Sequence, residues 1–305
     1  MSGTLPANEP ACIDDPSRAV DQRIDARPRM IGDFEVRRVL PSVARRTVGP
    51  VIFFDHMGPT ALPPGRGIDV APHPHIGLAT LTYLFEGELV HRDALGSERT
   101  IRPGDVNWML AGRGLAHSER STPAAREQGA RIHGIQTWIA TPRDQEDAAP
   151  HFEHHAAAAI PSVAAGGATL DVIAGEAFGV RSPVSVLSPT LYVHARLAKG
   201  ARLELDTAHE ERAIYVVEGE VQCDGRVFRP GTMVVLRPGV AATVSAVDSA
   251  RAMIVGGAKL DGPRHIFWNF VASDKERIER AKSDWREGRF AKVIGDELDF
   301  VPLPE

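Results

Sequence analysis

The chain is poor in cysteine, in excess positive charge and in long apolar runs. Only two cysteines, Cys12 and Cys223, occur among its 305 residues, which is too few for a disulfide framework and favours a reducing compartment. The formal net charge of -5 provides no broad basic field, so direct binding to nucleic acid is not expected. No window approaches the roughly 18 apolar residues of a membrane span, and residues 1–30 contain no apolar secretory signal. We therefore expect a cytoplasmic protein without a direct nucleic-acid or membrane partner.

Helical periodicity is also rare, whereas short strand-like runs bounded by Gly, Pro and Asp are frequent. A hydrophobic content of 43% is sufficient for two modest domains. Runs of this kind are typical of the strands of a β-sandwich or barrel. They occupy residues 51–54, 80–85, 134–139, 191–193, 213–217, 221–223 and 233–236. The sequence therefore predicts an all-β fold, with a hairpin turn at Asp224-Gly225.

One helix is predicted near the C-terminus. Ser273 and Glu276 have the spacing of a capping box, and Gly288 can end the helix. An apolar stripe lies between them, formed by Ile278, Ala281 and Trp285. Such a stripe packs against another surface, so we expect this short C-terminal helix to cover a barrel.

Composition divides the chain into four segments. Residues 1–30 are rich in Pro, Asp and Arg without periodicity, which predicts an extended N-terminal arm. Residues 141–161 are rich in Ala, Pro and charge, which predicts a linker. Two β-rich domains, 31–140 and 162–305, are predicted on either side of that linker, the second including the helix.

An internal repeat indicates that the two domains are related barrels. The first copy contains Gly67, His73, His75, Thr80 and Gly87, and the second contains Gly200, Asp206, Ala208, Arg212 and Gly219, with spacings that differ by one residue. Each copy continues to a Pro-Gly pair, at Pro103-Gly104 and Pro230-Gly231. Several landmarks matching over about 20 residues favour a duplicated β-barrel over chance.

Four potential metal ligands lie at the two ends of one β-patterned stretch of the first domain. Side chains two apart in a strand share a face, so His73-x-His75 and His117-x-Glu119 each direct two donors the same way. If the two strands meet inside a barrel, the four donors converge. Three imidazoles and one carboxylate suit divalent Fe, Mn, Ni, Cu or Zn, and the ligand set alone does not rank these metals. We predict one mononuclear metal site.

The motifs resemble those of the cupin superfamily, and locally those of its pirin family of bicupins. The spacing from Gly67 through His73 and His75 to Gly87 is similar to the first cupin motif, with Thr80 where a ligand Glu is often found. Four stretches of the first domain resemble pirins: residues 49–56, residues 73–77, residues 103–109 and residues 111–119. The resemblance implies two tandem cupin (double-stranded β-helix) barrels, and residues 267–305 look like a bacterial pirin-like subgroup.

In pirins, the equivalents of His73, His75, His117 and Glu119 hold one iron, and some members cleave the flavonol quercetin oxidatively. The resemblance therefore implies an Fe(II)-dependent dioxygenase whose partners are a small aromatic substrate and dioxygen, with Glu119 as a catalytic base. The alternative that it implies is a metal- or redox-dependent regulatory protein that acts through protein partners. A third hypothesis is a metal with only a structural role.

Other candidate residues receive weaker functional predictions. Asp55 and His56 are candidates for orienting a ligand imidazole. Two roles are considered for four further residues: lining a pocket for a flat substrate, or filling the barrel core. The core role is favoured for each of Phe53, Tyr83, Trp108 and Met109. The cluster of His151, Glu153, His154 and His155 lies in the predicted linker, where metal binding is not favoured, and both cysteines are predicted to be inert. The second barrel is predicted to be metal-free, since Ala208 cannot ligate and Arg212 repels a cation.

Overall fold

The computed structural model describes residues 18–32 and 34–305, and its regular structure is almost entirely β. In chain order the strands are β1 (Val20–Asp25), β2 (Arg27–Ile31), β3 (Phe34–Leu40), β4 (Val51–Leu62), β5 (Asp69–His75), β6 (Leu78–Glu86), β7 (Leu89–Asp93), β8 (Glu98–Ile101), β9 (Val106–Leu110), β10 (Leu115–Arg120), β11 (Ala130–Ala140), β12 (His151–His155), β13 (Ser162–Ala165), β14 (Ala168–Ala177), β15 (Val180–Arg181), β16 (Thr190–Leu197), β17 (Arg202–Leu205), β18 (Glu211–Glu218), β19 (Val221–Cys223), β20 (Arg226–Phe228), β21 (Thr232–Leu236), β22 (Ala242–Ala246), β23 (Ala250–Gly257), β24 (His265–Phe267) and β25 (Phe270–Ala272). The helices of the described residues are α1 (Pro123–Gln128) and α2 (Lys275–Arg286), with 3-10 turns at Arg143–Gln145 and Ala157–Ala159. The predicted all-β fold is confirmed.

The strands form two barrels, each built from a large and a small sheet. In the first barrel the order β12-β9-β6-β11-β4-β3-β2 faces the order β5-β10-β7-β8. In the second barrel the order β1-β21-β18-β23-β16-β14-β13 faces the order β17-β22-β19-β20. Apolar clusters join the two sheets within each barrel. Burial of alternate side chains between facing sheets provides each barrel with its own core.

The two barrels pack against each other through the outer faces of their large sheets. Buried aromatic residues dominate this interface, and Phe54 of β4 lies edge-on to Tyr215 of β18 with ring centroids 4.9 Å apart. Three buried hydrogen bonds cross it, between His56 and Tyr215 (2.8 Å), between Thr137 and Tyr192 (2.7 Å) and between Tyr83 and His194 (3.0 Å). Because tyrosine hydroxyls need partners when buried, these bonds specify how the barrels fit together.

The N-terminal arm predicted for residues 1–30 is corrected for its described part. β1 pairs antiparallel with β21 of the second barrel, and β2 pairs with β3 of the first. The Pro- and Arg-rich composition obscured these strands, since they lie at sheet edges where polar residues and Pro28 are tolerated. The rest of the predicted arm, including Cys12, lies outside the described residues.

The predicted linker, residues 141–161, is corrected in a similar way. Its residues 151–155 form β12, which pairs with β9 and extends the large sheet of the first barrel. The strand escaped prediction because its side chains are mostly polar, which an edge strand permits. The domain boundaries at residues 30, 140 and 161 stay predictions.

The predicted C-terminal helix exists, but its cap and its location differ from expectation. Asp274, not Ser273, is the N-cap residue and accepts a hydrogen bond from the Glu276 N–H at 3.0 Å. Ser273 instead donates to the buried Glu146 carboxylate. Although α2 follows the second barrel in sequence, its buried face packs on Ile76 of the first. In the described part of the chain, no helix is both long and apolar enough to cross a membrane.

Candidate metal centre

Three histidines converge between the two sheets of the first barrel. β5 and β10 pair antiparallel with His73 opposite His117, and His75 lies at the end of β5. One ring nitrogen from each of the three lies within 4.8 Å of the other two, and the Nε2 atoms of His75 and His117 are 3.1 Å apart. The strand alternation that predicted this convergence also explains it, because residues two apart share the inner face.

All three imidazoles are buried, with 7% of His73, 1% of His75 and 1% of His117 exposed. Burial lowers the pKa of His73 to about 4, partly opposed by its hydrogen bond to the Ala71 carbonyl. Burial also holds the pKa values of His75 and His117 well below the ordinary value, and the nearby His73 ring lowers both further. The rings are therefore neutral near pH 7, which is the form that binds a metal.

The hydrogen bonds of the histidines orient lone pairs into the space between them. The Nδ1–H of His73 donates to the Ala71 carbonyl at 2.9 Å, which leaves Nε2 of that ring unprotonated. Two Nε2 atoms as close as those of His75 and His117 cannot both carry a proton toward each other. Three neutral, buried imidazole nitrogens aimed at one point fit a divalent transition metal, so the triad can hold a metal ion.

Glu119 follows His117 by two residues on β10, but its carboxylate oxygens lie farther from the three histidine nitrogens than these nitrogens lie from one another. In the described residues, no carboxylate oxygen comes within the spacing that the three histidine nitrogens share. The register between β5 and β10 shifts by one residue at this point, so that His117 pairs with His73 but Glu119 pairs with Val70. Glu119 therefore stays a predicted ligand, which lies near the three histidines but outside their cluster of nitrogen atoms.

The Glu119 carboxyl group is held by Thr82 of β6. The two side chains are 2.8 Å apart, and Thr82 lies 2.8 Å from the Gln136 Oε1 as well. The Thr82 hydroxyl donates to the Glu119 Oε1, which favours the ionised form of that carboxyl group. Burial raises the pKa of Glu119, while the His91 ring and the Thr82 hydrogen bond lower it. The group is thus a carboxyl with increased proton affinity, held at one oxygen.

Sequence reasoning missed two residues that support the triad, His91 and Asp93 of β7. The Nδ1 atoms of His91 and His117 are 3.3 Å apart, and the His91 Nε2 lies 3.1 Å from the Asp93 carboxylate. Although burial opposes ionisation of Asp93, hydrogen bonds from His91 and Ser97 lower its pKa below the ordinary value. The signal was present, since His91-x-Asp93 shows the same alternation as the two ligand pairs.

An aromatic wall borders the triad on the large-sheet side. The Trp138 ring of β11 lies edge-on to His75 with centroids 5.2 Å apart, and Phe53 stacks on Trp138 at 3.9 Å. Arg38 covers the other side of Phe53 at 4.4 Å and forms a bidentate ion pair with Asp55. A pocket role was the less favoured prediction for Phe53, and Trp138 was not among the candidates.

The other predicted site residues are divided between the two faces of the large sheet. Asp55 faces inward but pairs with Arg38. Its neighbour His56 faces the second barrel, where it contacts Tyr215, and it also contacts His133 of β11. Neither has a hydrogen bond to a triad histidine among the described contacts. Tyr83 and Trp108 belong to the apolar core between the barrels, and Met109 packs in a small cluster with Leu115. The core interpretation therefore describes these three residues.

The histidine-rich segment 151–155 forms ion pairs and a strand. Glu153 of β12 accepts from His155 at 2.8 Å and lies 3.2 Å from His151, while His154 contacts Asn107. Phe152 from the same strand stacks on His91 with ring centroids 4.2 Å apart. The segment therefore contributes a ring to the environment of the triad.

Burial raises the pKa of the Cys223 thiol to about 11, in keeping with an inert cysteine.

The second barrel has different residues at the equivalent place. Ala242, three residues after Gly239, corresponds to His117, three residues after Gly114, and its pairing partner on β17 is Leu205. Strand pairing thus places Leu205 at the position of His73, one residue from the Asp206 that the repeat spacing indicated. Neither Leu205 nor Ala242 carries a ligand atom.

Neither of two surface cavities, of about 640 and 390 Å³, is lined by a residue of the histidine triad.

Comparison with known proteins defines the class and then the family. The Pirin family model matches residues 33–139, and the model described as the pirin C-terminal cupin domain matches residues 192–291. A crystal structure of quercetin 2,3-dioxygenase from Acinetobacter baumannii is similar with a TM-score of 0.87 and 32% identity, covering 93% of this chain and 95% of that one. The fold and the triad therefore define a bicupin whose first barrel can hold a metal ion.

Two curated relatives identify the family. A pirin-like protein of Caulobacter vibrioides is 48% identical over 94% of this chain and 100% of its own length. A Pseudomonas aeruginosa protein, provisionally named a quercetin 2,3-dioxygenase, is 38% identical over 93% of this chain and 90% of its own length. The chain belongs to the pirin family, as the resemblance of its motifs predicted.

Proposed function

We propose that this protein is an Fe(II)-dependent dioxygenase that cleaves quercetin or a related flavonol or phenolic in the cytoplasm. The convergence of His73, His75 and His117 carries the proposal. Relatives that bear the quercetin dioxygenase name support the choice of substrate class. Mn, Ni, Cu and Zn are alternatives to iron, because three imidazoles and a carboxylate suit all of them.

The residues of the first barrel have separate tasks in this proposal. His73, His75 and His117 hold the metal through neutral imidazole nitrogens, with Glu119 as the fourth protein ligand. When bound, the metal supplies a Lewis acid and free coordination positions for a substrate oxygen and dioxygen. Trp138 and Phe53 present flat apolar surface beside His75, which suits the rings of a phenolic substrate.

Glu119 also moves a proton in this proposal. A flavonol hydroxyl must lose its proton before its oxygen becomes a good donor, and a carboxylate whose pKa is raised by burial is a stronger base than a solvated one. Thr82 holds the carboxyl group by one oxygen, so the other oxygen would bind the metal and would accept that proton when it leaves the metal transiently. Metal binding and proton transfer thus involve the same residue, as the sequence predicted.

The test combines metal analysis with an aerobic assay of the iron-loaded full chain. Wild type should consume oxygen with quercetin, and His73→Ala should lose both iron and turnover. Glu119→Gln should reduce turnover by about 100-fold or more, because general-base catalysis contributes on that scale. The matched control is His154→Ala, since His154 lies in the same barrel but bonds only to Asn107 in the described contacts.

Two results would reject parts of the proposal separately. Full iron content in His73→Ala would reject the metal centre. Absence of turnover in a fully iron-loaded wild type would reject quercetin as substrate while leaving the metal centre intact.

The burial of the triad favours a second candidate, a metal- or redox-dependent regulatory protein that acts through a protein partner. At most 7% of any triad histidine is exposed, which suits a metal that acts through its surroundings better than one that meets large substrates. The same assay separates the two candidates: a metal-loaded protein without turnover, whose affinity for a partner changes with iron oxidation state, is the regulatory outcome.

A further inference from the structure

A cavity of about 640 Å³ opens at the end of the second barrel that corresponds to the metal centre of the first. It is lined by residues that follow β17, namely Leu205, Asp206 and Ala208, and by Arg212 of β18. The repeat and the strand pairing relate these positions to those around His73 and His75. The second barrel thus has a cavity at this end, with the Arg212 guanidinium at the repeat position of Thr80.

Arg212 is a buried cation without a carboxylate partner in the described part of the chain. Only 2% of the residue is exposed. Its Nη2 donates to the Arg237 and Val240 carbonyls at 2.9 and 2.8 Å, and its Nη1 donates to the Asp206 carbonyl. These carbonyl groups are dipoles and do not neutralise the charge. Burying a charge without a counter-ion costs free energy, so binding of an anion beside Arg212 would be favourable.

Part of the Arg212 side chain also lacks a hydrogen-bond partner. Its Nε is buried and has no acceptor among the described residues, and a guanidinium has five N–H donors, of which the three carbonyl bonds use three. Burial lowers the pKa of Arg212, and the Asp206 charge raises it only in part. A carboxylate is the acceptor that best matches the remaining donors.

The walls of the cavity define the rest of the ligand. Apolar side chains cover much of the lining, including Leu187, Leu191 and Ile254. Glu176 is paired with Arg181 at 2.5 Å, and the Asp206 carboxylate accepts from the Ala208 N–H at 3.0 Å. These two carboxylates oppose a ligand of high negative charge, such as a phosphate dianion. The lining therefore suits a single negative charge on an apolar body.

We propose that this cavity is a second ligand site, which binds a small organic monocarboxylate with its carboxylate group on Arg212 and its apolar part against Leu191 and Ile254. The site is independent of the metal centre and of the reaction proposed there.

The test is a titration of the metal-loaded full chain with sodium benzoate, followed by methyl NMR. Benzoate should shift the methyl signals of Leu191, Leu205 and Ile254, and should leave Ile76, which lies next to His75, unchanged. Benzamide has the same shape without the charge and should bind about tenfold more weakly or worse, because a hydrogen bond to a charged group is worth about 1.5–3 kcal/mol.

Variants assign the binding to the cavity. Arg212→Met should weaken benzoate binding about tenfold or more, and Ala208→Trp, which fills the cavity from an exposed position without touching Arg212, should abolish it. Arg202→Met removes an exposed charge from the neighbouring β17 and should bind as wild type does. His73→Ala should also bind benzoate normally, whatever becomes of its metal.

Three outcomes overturn the proposal. One is equal affinity for benzoate and benzamide. Another is a shift of Ile76 in place of Ile254, which would locate binding at the first barrel. The third is unchanged affinity in Ala208→Trp. If Arg212→Met does not fold, because three carbonyl groups lose their donor, benzamide and Ala208→Trp still decide the question.

Discussion

His91 and His117 face each other through their Nδ1 atoms at a distance of 3.3 Å, and this contact determines which nitrogen of His117 points into the triad. His91 Nε2 donates to the ionised Asp93 carboxylate at 3.1 Å, so the proton of a neutral His91 ring is on Nε2. Its Nδ1 is then an acceptor for the proton on His117 Nδ1, which leaves His117 Nε2 with a free lone pair. Partners of this kind orient ligand imidazoles and tune metal affinity.

Asp93→Asn should therefore weaken metal binding about 10- to 100-fold. The Asp93 Oδ1 accepts from the Leu95 and Ser97 N–H groups, so the oxygen of an asparagine stays there and its NH2 group faces His91. The proton of His91 moves to Nδ1, and that of His117 is forced to Nε2, where it blocks the lone pair. Competition with a fluorescent chelator measures the change.

Asp105→Asn is the matched control for this substitution. Its carboxylate also accepts two backbone N–H groups, those of Arg102 and Ala157, but it contacts no triad residue in the described hydrogen bonds. It should leave metal affinity unchanged. Equal losses in the two variants would mean that the effect comes from the turns and not from His117.

Stability should fall as the pH is lowered below about 6.5, because histidines between the barrels are buried in the neutral form. Burial and the nearby Arg37 lower the pKa of His56 from 6.5 to about 2. Between these values the unfolded chain binds a proton that the folded chain does not, so protonation favours unfolding. One such histidine contributes a slope of about 1.4 kcal/mol per pH unit, which urea denaturation between pH 7 and pH 4.5 can resolve.

His56→Gln should reduce this slope by about one proton equivalent, whatever it does to stability at pH 7. Tyr215→Phe removes the hydrogen bond at the other end of the same contact but keeps the histidine buried. It should lower the stability by about 1 kcal/mol at every pH while the slope stays that of wild type. A slope that survives in His56→Gln would contradict the assignment.

The C-terminal segment should loosen from the first barrel in Arg120→Met. Arg120 of β10 makes a bidentate pair with Asp296 at 2.6 and 2.9 Å and a further bond to Asp299. Burial opposes ionisation of Asp296, but hydrogen bonds and nearby positive charges, those of Arg120 foremost, together outweigh it and lower the pKa of that carboxyl group. Bonds between charged groups of this kind are worth about 1.5–3 kcal/mol.

Amide hydrogen exchange is the measurement, and Val301 is the reporter, since its N–H bonds to the Pro72 carbonyl at 2.9 Å. Exchange there should accelerate about tenfold or more in Arg120→Met. Arg131→Met, which breaks an exposed pair with Glu86, should have little effect because such surface pairs contribute about 0–1 kcal/mol. Unchanged protection of Val301 would show that apolar contacts alone hold the segment.

Much of the fold was predictable because strand periodicity and turn residues are local signals. The predicted runs 51–54, 80–85 and 134–139 lie within β4, β6 and β11. The Asp224-Gly225 turn has φ of 51° and 70°, as a tight hairpin requires. The predicted runs do not cover the buried strands β14 and β23. Three other missed strands, β1, β2 and β12, are polar edge strands. Their pairing depends on a neighbouring strand that is distant in sequence, so no local sequence pattern predicts them.

For this protein the sequence alone determined the ligand types and the faces they occupy, because alternation along a strand is a property of the backbone. The tertiary structure decided the rest. It brought His91 and Asp93 behind His117, shifted the register between β5 and β10 beside Glu119, and placed α2 of the second half on the first barrel. It also buried Arg212 at the base of a cavity. Each of these depends on strands that are remote in sequence and become neighbours only when the sheets close.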